Sequence, residues 1–317
     1  MGVKTLFYKG VEFYLYLNKF LFVFLLVIVI FLSCKAALGV TEDGAIKRAT
    51  DRFHASLVFD KDGVPYYNYS HTGHYSVGLQ GSPHAVSTYA SKLYDVYTRT
   101  SNESAKTYFF NNVNWLVNTN MLKNNGSFAT YEYSFPWTNG NHTIEPPWRN
   151  AMVGGEALSP LVKAFELSGN RTYLDTAKKI LNSFYVDVKN GGVTYKTPSS
   201  GWWYEEYASR NSNIEPRVLN GMIHSLLGIN EYFKDTGDSS AKFLFDQGIL
   251  ALKNDLPKYD NNGASFYDRL GLPANSFYKS LHVRQLNQLY DLTHEPIFKT
   301  YYDKWNKYNK LEHTRTN

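Results

Sequence analysis

The 317-residue chain contains one cysteine, Cys34, so no internal disulfide can staple the fold. Its nine histidines are scattered, with neither an H-E-x-x-H pair nor cysteine partners, which leaves no metal constellation of recognised spacing. Neither a glycine-rich phosphate loop nor a Gly-x-Ser-x-Gly elbow occurs, which argues against phosphate-cradling and elbow-type hydrolase chemistry. Lysine and arginine form no block beyond scattered pairs such as Lys178-Lys179, and a net charge of +5 is too diffuse for nucleic acid. Such a mildly basic surface suits an acidic polysaccharide better.

The N-terminus carries what the rest lacks. Lys4, Lys9 and Lys19 precede an unbroken apolar run, Phe20 to Leu32. The run is short for a membrane span, and its positive leading flank fits a secretory signal or short membrane anchor over residues 1–40. The body of the chain is then expected outside the cytoplasm, secreted or held at the membrane by this segment. Five Asn-x-Ser/Thr sequons, at Asn68, Asn102, Asn125, Asn141 and Asn170, are compatible with export and glycosylation.

Aromatic residues are abundant, at 16% of the chain with 26 Tyr, 20 Phe and 6 Trp. They fill a core and, in turn-rich segments, can line a groove. The densest stretch is Trp203-Tyr204-Glu205-Glu206-Tyr207, two carboxylates among three aromatics. Carboxylates held against aromatic walls lose water, which raises their pKa and makes them candidate acids or bases. In an extended segment Tyr204 and Glu206 face one way, Glu205 and Tyr207 the other. One carboxylate then faces a cleft while the other bonds structural partners.

Polar capping clusters reveal a repeat. They begin at Ser101, Gly169 and Gly237, 68 residues apart, and again at Thr293 after 56. Each opens an amphipathic helix, and each follows another, over about 83–99, 153–167, 218–234 and 280–292. Four helix hairpins result, joined by short glycine-opened strand-like pieces at Gly126, Gly192 and Gly263. Units of this kind bury their faces against one another. The expected fold is all-α, an α/α toroid of about four hairpins with β-hairpin pieces in the connections. An extended arm (41–80) precedes this domain (81–317). The paired glycines Gly154-Gly155 allow two helix backbones to approach closely. Tyr267-Asp268-Arg269 sets a phenol beside a cation that could lower its pKa.

In order along the chain, Glu145-Pro146 with Trp148, Trp203 to Tyr207, Val218 to Met222, Tyr267-Asp268, Tyr278 with His282, and Pro296 to Lys299 resemble the C-terminal domain of the D-glucuronyl C5-epimerases. The likeness runs from about residue 82 to 306. It implies an isomerase that turns glucuronate into iduronate within a heparan-type polysaccharide, through C5 proton removal and return with no redox cofactor. It also implies an α/α toroid and a homodimer. Family roles fall on Glu206, Tyr207, Tyr267 and Tyr278 as catalytic residues and on Asn220 as a substrate contact. Arg269, with Arg149 or Arg217 as substitutes, is expected to steady the substrate carboxylate, and Trp203, Tyr204 and His282 to line the substrate. Three departures accompany the match: Ala208 stands where the family has proline, Arg269 follows Tyr267 by two positions rather than three, and the family's β-rich N-terminal domain is largely missing. A uronan lyase on the same fold and a non-catalytic glycan-binding protein are the competing readings.

Overall fold

A computed structural model describes residues 57–69 and 76–316. The apolar run at Phe20 to Leu32 lies outside them. Among the described residues no helix is long and apolar enough to cross a membrane.

Eight α-helices among the described residues are arranged as four consecutive hairpins. They are α1 (Pro83–Thr100) with α2 (Glu103–Asn118), α3 (Ala151–Ser168) with α4 (Arg171–Ser183), α5 (Leu219–Thr236) with α6 (Ser239–Asp255), and α7 (Ser276–Thr293) with α8 (Pro296–Thr316). The capping clusters act as their chemistry requires. Asn102 Oδ1 accepts from Ala105 N at 2.8 Å, Asn170 Oδ1 from Thr172 N at 3.1 Å, and Asp238 Oδ1 from Ser240 N at 2.9 Å. Each cap satisfies an orphan amide of the helix it opens. Asn102 is thereby buried, so this sequon is unsuited to carry a glycan.

The first helix of each hairpin packs on the first helix of the next: α1 on α3, α3 on α5, α5 on α7. The α3–α5 contact is the closest in backbone terms. A Cβ added at Gly155 would lie 2.9 Å from Ser225 Cα, and one at Gly228 would lie 2.2 Å from Gly155 O. Only glycine permits this approach, as the Gly154-Gly155 pair led one to expect.

Short strands fill the connections. β4 (Leu122–Asn124), β5 (Ala129–Tyr133), β8 (Trp148–Arg149) and β11 (Ala208–Ser209) form one antiparallel sheet in the order β11-β8-β5-β4. This sheet joins the first connection to the second. β6 (Trp137–Asn139) pairs with β7 (His142–Ile144), β9 (Thr194–Thr197) with β10 (Gly201–Tyr204), and β12 (Asp260–Asn261) with β13 (Ala264–Ser265). Within the segment read as an arm, β1 (Leu57–Phe59), β2 (Pro65–Asn68) and β3 (Leu79–Gly81) form a three-stranded antiparallel sheet. Asn112 Nδ2 on α2 holds it by donating to Gly63 O at 3.0 Å.

Candidate active site

The segment Glu205 to Tyr207 lies between β10 and β11, and its backbone is fixed from two sides. Glu205 N donates to Val193 O at 2.7 Å, and Glu205 O accepts from Ala151 N at the start of α3 at 3.0 Å. The strand ends at Tyr204 and residues 206–207 form a turn, so the strict alternation expected of an extended chain breaks there. The Tyr207 hydroxyl therefore reaches the Glu206 carboxyl.

The two carboxylates divide their roles. Glu205 is fully buried and accepts from Tyr207 N at 3.2 Å and Arg217 N at 2.9 Å. Burial raises its pKa to about 7 against those bonds, and it organises the loop. Glu206 is 5% exposed, with Oε2 at 3.5 Å from Asn220 Nδ2. Burial pushes its pKa up to about 8, partly countered by the Tyr207 hydroxyl and the charge of His84. Near neutral pH Glu206 is therefore mostly protonated, with an accessible ionised fraction.

A string of phenols leads away from Glu206. The Tyr207 hydroxyl lies 3.2 Å from that of Tyr267, and the Tyr267 ring sits 4.6 Å from that of Tyr278. Burial carries Tyr207 and Tyr267 well above the usual phenol range and Tyr278 up to about 12. The wall behind them is aromatic: Trp137 stacks on Tyr207 at 6.0 Å, and Trp148 stacks on Tyr133 at 4.0 Å with planes 4° apart. Local bonds set the positions. α5 lacks a side-chain cap, and its Leu219 N donates instead to Tyr267 O at 3.0 Å, tying Asn220 to Tyr267. Asn275 Oδ1 caps α7 by accepting from Tyr278 N at 3.1 Å.

Glu206, Tyr207, Tyr267, Tyr278 and Asn220 thus meet in one place. Other expected contacts do not join them. Arg149 is 1% exposed and places Nε and Nη2 each 2.8 Å from Glu132 Oε1; its charge is used within the sheet. Trp203 is sealed in the core, stacked on Tyr259 at 5.9 Å, and the Tyr204 hydroxyl donates to Leu244 O at 2.5 Å beneath α6. Both side chains bury apolar area where a sugar cannot reach. Arg269 turns to Asp255, with Nη1 at 2.9 Å from Oδ2. Arg217 and Lys258 share that carboxylate, so none of the three is a free clamp. His282 is fully buried, with Nδ1 at 2.8 Å from Ser265 Oγ. Burial drives its pKa down to about 3, and this neutral ring backs Tyr278 at 6.4 Å.

One group escaped the sequence reading. His84 Nδ1 on α1 lies 2.7 Å from Glu156 Oε2 on α3, and Glu156 Oε1 lies 3.8 Å from His224 Nδ1 on α5. Glu156 and His224 stand 68 residues apart, the repeat interval itself. That coincidence was the available signal, because equivalent positions on the first helices of successive hairpins become neighbours.

A sequence model of the D-glucuronyl C5-epimerase C-terminus matches residues 123–307. The chain belongs to this family. By family it is a carbohydrate epimerase, an isomerase. An uncharacterized protein of Methanocaldococcus jannaschii is 32% identical over 245 residues, covering 72% of this chain and 78% of the relative. The D-glucuronyl C5-epimerase of Caenorhabditis elegans is 29% identical over 181 residues, 51% of this chain but 29% of the worm enzyme. Among solved structures, a sugar epimerase from a ruminal bacterium matches with a TM-score of 0.58 at 12% identity, covering 85% of this chain and 69% of that one. Cellobiose 2-epimerase from Bacillus thermoamylovorans matches at 0.57 and 14% identity, covering 84% and 68%. At such identities these two structures speak for the fold alone.

Proposed function

We propose that the protein is a uronate C5-epimerase converting glucuronate to iduronate within an acidic glycan, on an α/α toroid. Carrying this reading is the buried Glu206 at the head of the Tyr207–Tyr267–Tyr278 string, inside the family's matched segment. The C5 proton lies α to a carboxylate, so its removal builds an enediolate that needs hydrogen-bond donors around it. Ionised Glu206 takes the proton from one face and the Tyr278 hydroxyl returns one to the other. The electron pair of the C–H bond moves into the enediolate and comes back to C5, so no oxidant or reductant is consumed. Asn220 holds the Glu206 carboxylate, and Tyr207 and Tyr267 donate toward the ring and its developing charge. Each carrier needs hydrogen-bond reach of the proton it moves.

The polymer is a heparan-type or related uronan. Export through the N-terminal segment as signal or anchor, and a homodimer, belong to the same reading. Incubation of a glucuronate polymer with the protein in deuterated water, followed by NMR, tests it. C5 deuterium with iduronate signals is the expected result. Unsaturated ends absorbing in the ultraviolet would make the protein a lyase. No C5 exchange on heparosan, chondroitin or other uronans would reduce it to a glycan binder. Glu206→Gln should lose exchange by at least ~10²-fold, the usual weight of one general acid–base group.

A further inference from the structure

With Arg149 and Arg269 both committed to protein carboxylates, the pocket needs another donor for the substrate's carboxylate, and the His84–Glu156–His224 group offers one. Its members come from α1, α3 and α5, the first helices of three successive hairpins, with Glu156 and His224 brought together by the glycine-lined α3–α5 contact. The His84 side chain is 49% exposed, whereas Glu156 is 14% exposed, so the histidine is the accessible face of the group. Glu206 packs against Gly221 on α5, one helical turn before His224, and the charge of His84 acts on its carboxyl. Glu156 engages Nδ1 and leaves the Nε2–H of the ring as the donor available to a ligand. Glu156 favours the charged imidazolium, as do Glu206 and a hydrogen bond to Glu156, against burial and Lys92 further along α1. His224 stays the neutral partner, its pKa lowered by burial and by His84 against the pull of Glu156.

We infer that His84, held by Glu156, is the residue that binds the uronate carboxylate beside Glu206. This deepens the epimerase reading and rests on it for the sugar. The His84–Glu156 pair is neutral overall, so recognition comes from a charge-assisted hydrogen bond aimed at the carboxylate rather than from a positive field. The imidazolium also offsets the charge of ionised Glu206, the form that takes the C5 proton, when a second carboxylate enters beside it. Once C5 is deprotonated, the hydrogen bond from Nε2 meets an oxygen carrying more charge, and so it strengthens toward the enediolate.

The test uses the whole chain with methyl β-D-glucuronide and methyl β-D-glucoside as probes, sugars that differ at the C6 carboxylate. Histidine ring NMR, with the His84 resonance identified by its loss in His84→Gln, should show the His84 pKa rising on glucuronide addition and unmoved by the glucoside. His84→Gln should weaken glucuronide binding roughly 10- to 100-fold, the range for one hydrogen bond to a charged group, with circular dichroism unchanged. Glu156→Gln should lower the His84 pKa and weaken glucuronide binding in parallel. Unchanged glucuronide binding by His84→Gln, equal binding of the two glycosides, or no binding of either by the wild type each overturns the assignment. If the glucuronide binds through His84 while uronans show no C5 exchange, the epimerase reading fails and the carboxylate site stands.

Discussion

Gly221 lies against the carboxylate of Glu206, where a Cβ would sit 2.3 Å from Oε2 and 2.8 Å from the Glu206 Cβ. Gly221→Ala at the start of α5 must therefore push the carboxylate aside. Alanine is otherwise the better helix former, by up to ~1 kcal/mol, so the fold should survive. A displacement of about 1 Å costs on the order of 10²-fold in rate. C5 exchange should fall by about that factor with circular dichroism unchanged, and full activity in this variant would show that Glu206 is not held where the reaction needs it. Arg269 gives the opposite contrast. Its charge goes to Asp255, which keeps Lys258 and Arg217 when it is lost. Arg269→Met should leave turnover within about twofold and lower stability by roughly 1 kcal/mol or less; loss of turnover would return the arginine to the substrate. Trp203 and Tyr204 read as sugar-facing because aromatics beside carboxylates look alike whether they line a pocket or a core. Depth decides between the two, and depth is set by α6 packing over them.

Helix boundaries were the most legible feature, because a cap is written in two or three adjacent residues. Asn102, Asn170 and Asp238 each cap the helix their cluster announces. The convergence of Glu206, Tyr207, Tyr267 and Tyr278 was read through family likeness rather than through periodicity, since it depends on loops from different hairpins. His84, Glu156 and His224 were missed because each is a single polar residue on a helix, and the 68-residue interval between Glu156 and His224 becomes a contact only through the packing of α3 on α5. Caps also reach into the site. Asn275 Oδ1 accepts from Tyr278 N at 3.1 Å, so the cap that starts α7 sets the height of the second proton carrier. Asn275→Ala should cost about 1 kcal/mol of stability, the usual weight of an N-cap. It should also lower kcat more than it raises KM, because Tyr278 acts on the proton and not on binding. A pure stability loss with kcat unchanged, measured in parallel by thermal melts and C5 exchange, would confine Asn275 to a structural role.

Taken together, the buried titratable groups make the folded protein sensitive to pH in a definite direction. Burial raises Glu206 from 4.5 to about 8 and Glu205 from 4.5 to about 7. Below the unfolded carboxyl value both states carry the proton and neither group affects stability. Between about 4.5 and 8 the unfolded chain ionises freely while the native carboxyls resist. Stability therefore falls as pH rises through that window, with each resisting carboxyl removing about 1.4 kcal/mol for every pH unit crossed. His84, raised by Glu156, acts in the same direction from its unfolded value upward. His282, lowered from 6.5 to about 3, opposes them and removes stability as pH falls between those values. Where the windows overlap two carboxyls outweigh one imidazole, so these groups place maximal stability at its lower edge, near pH 4.5. Glu206→Gln isolates the more strongly raised of the two carboxyls while keeping the side chain's shape. Its melting temperature should exceed the wild-type value by little at pH 4.5, by a margin that widens up to pH 8, and by a constant amount beyond. A difference that does not change with pH would mean that Glu206 is solvated in the native state, and its place as a proton carrier tuned by burial would be lost with it.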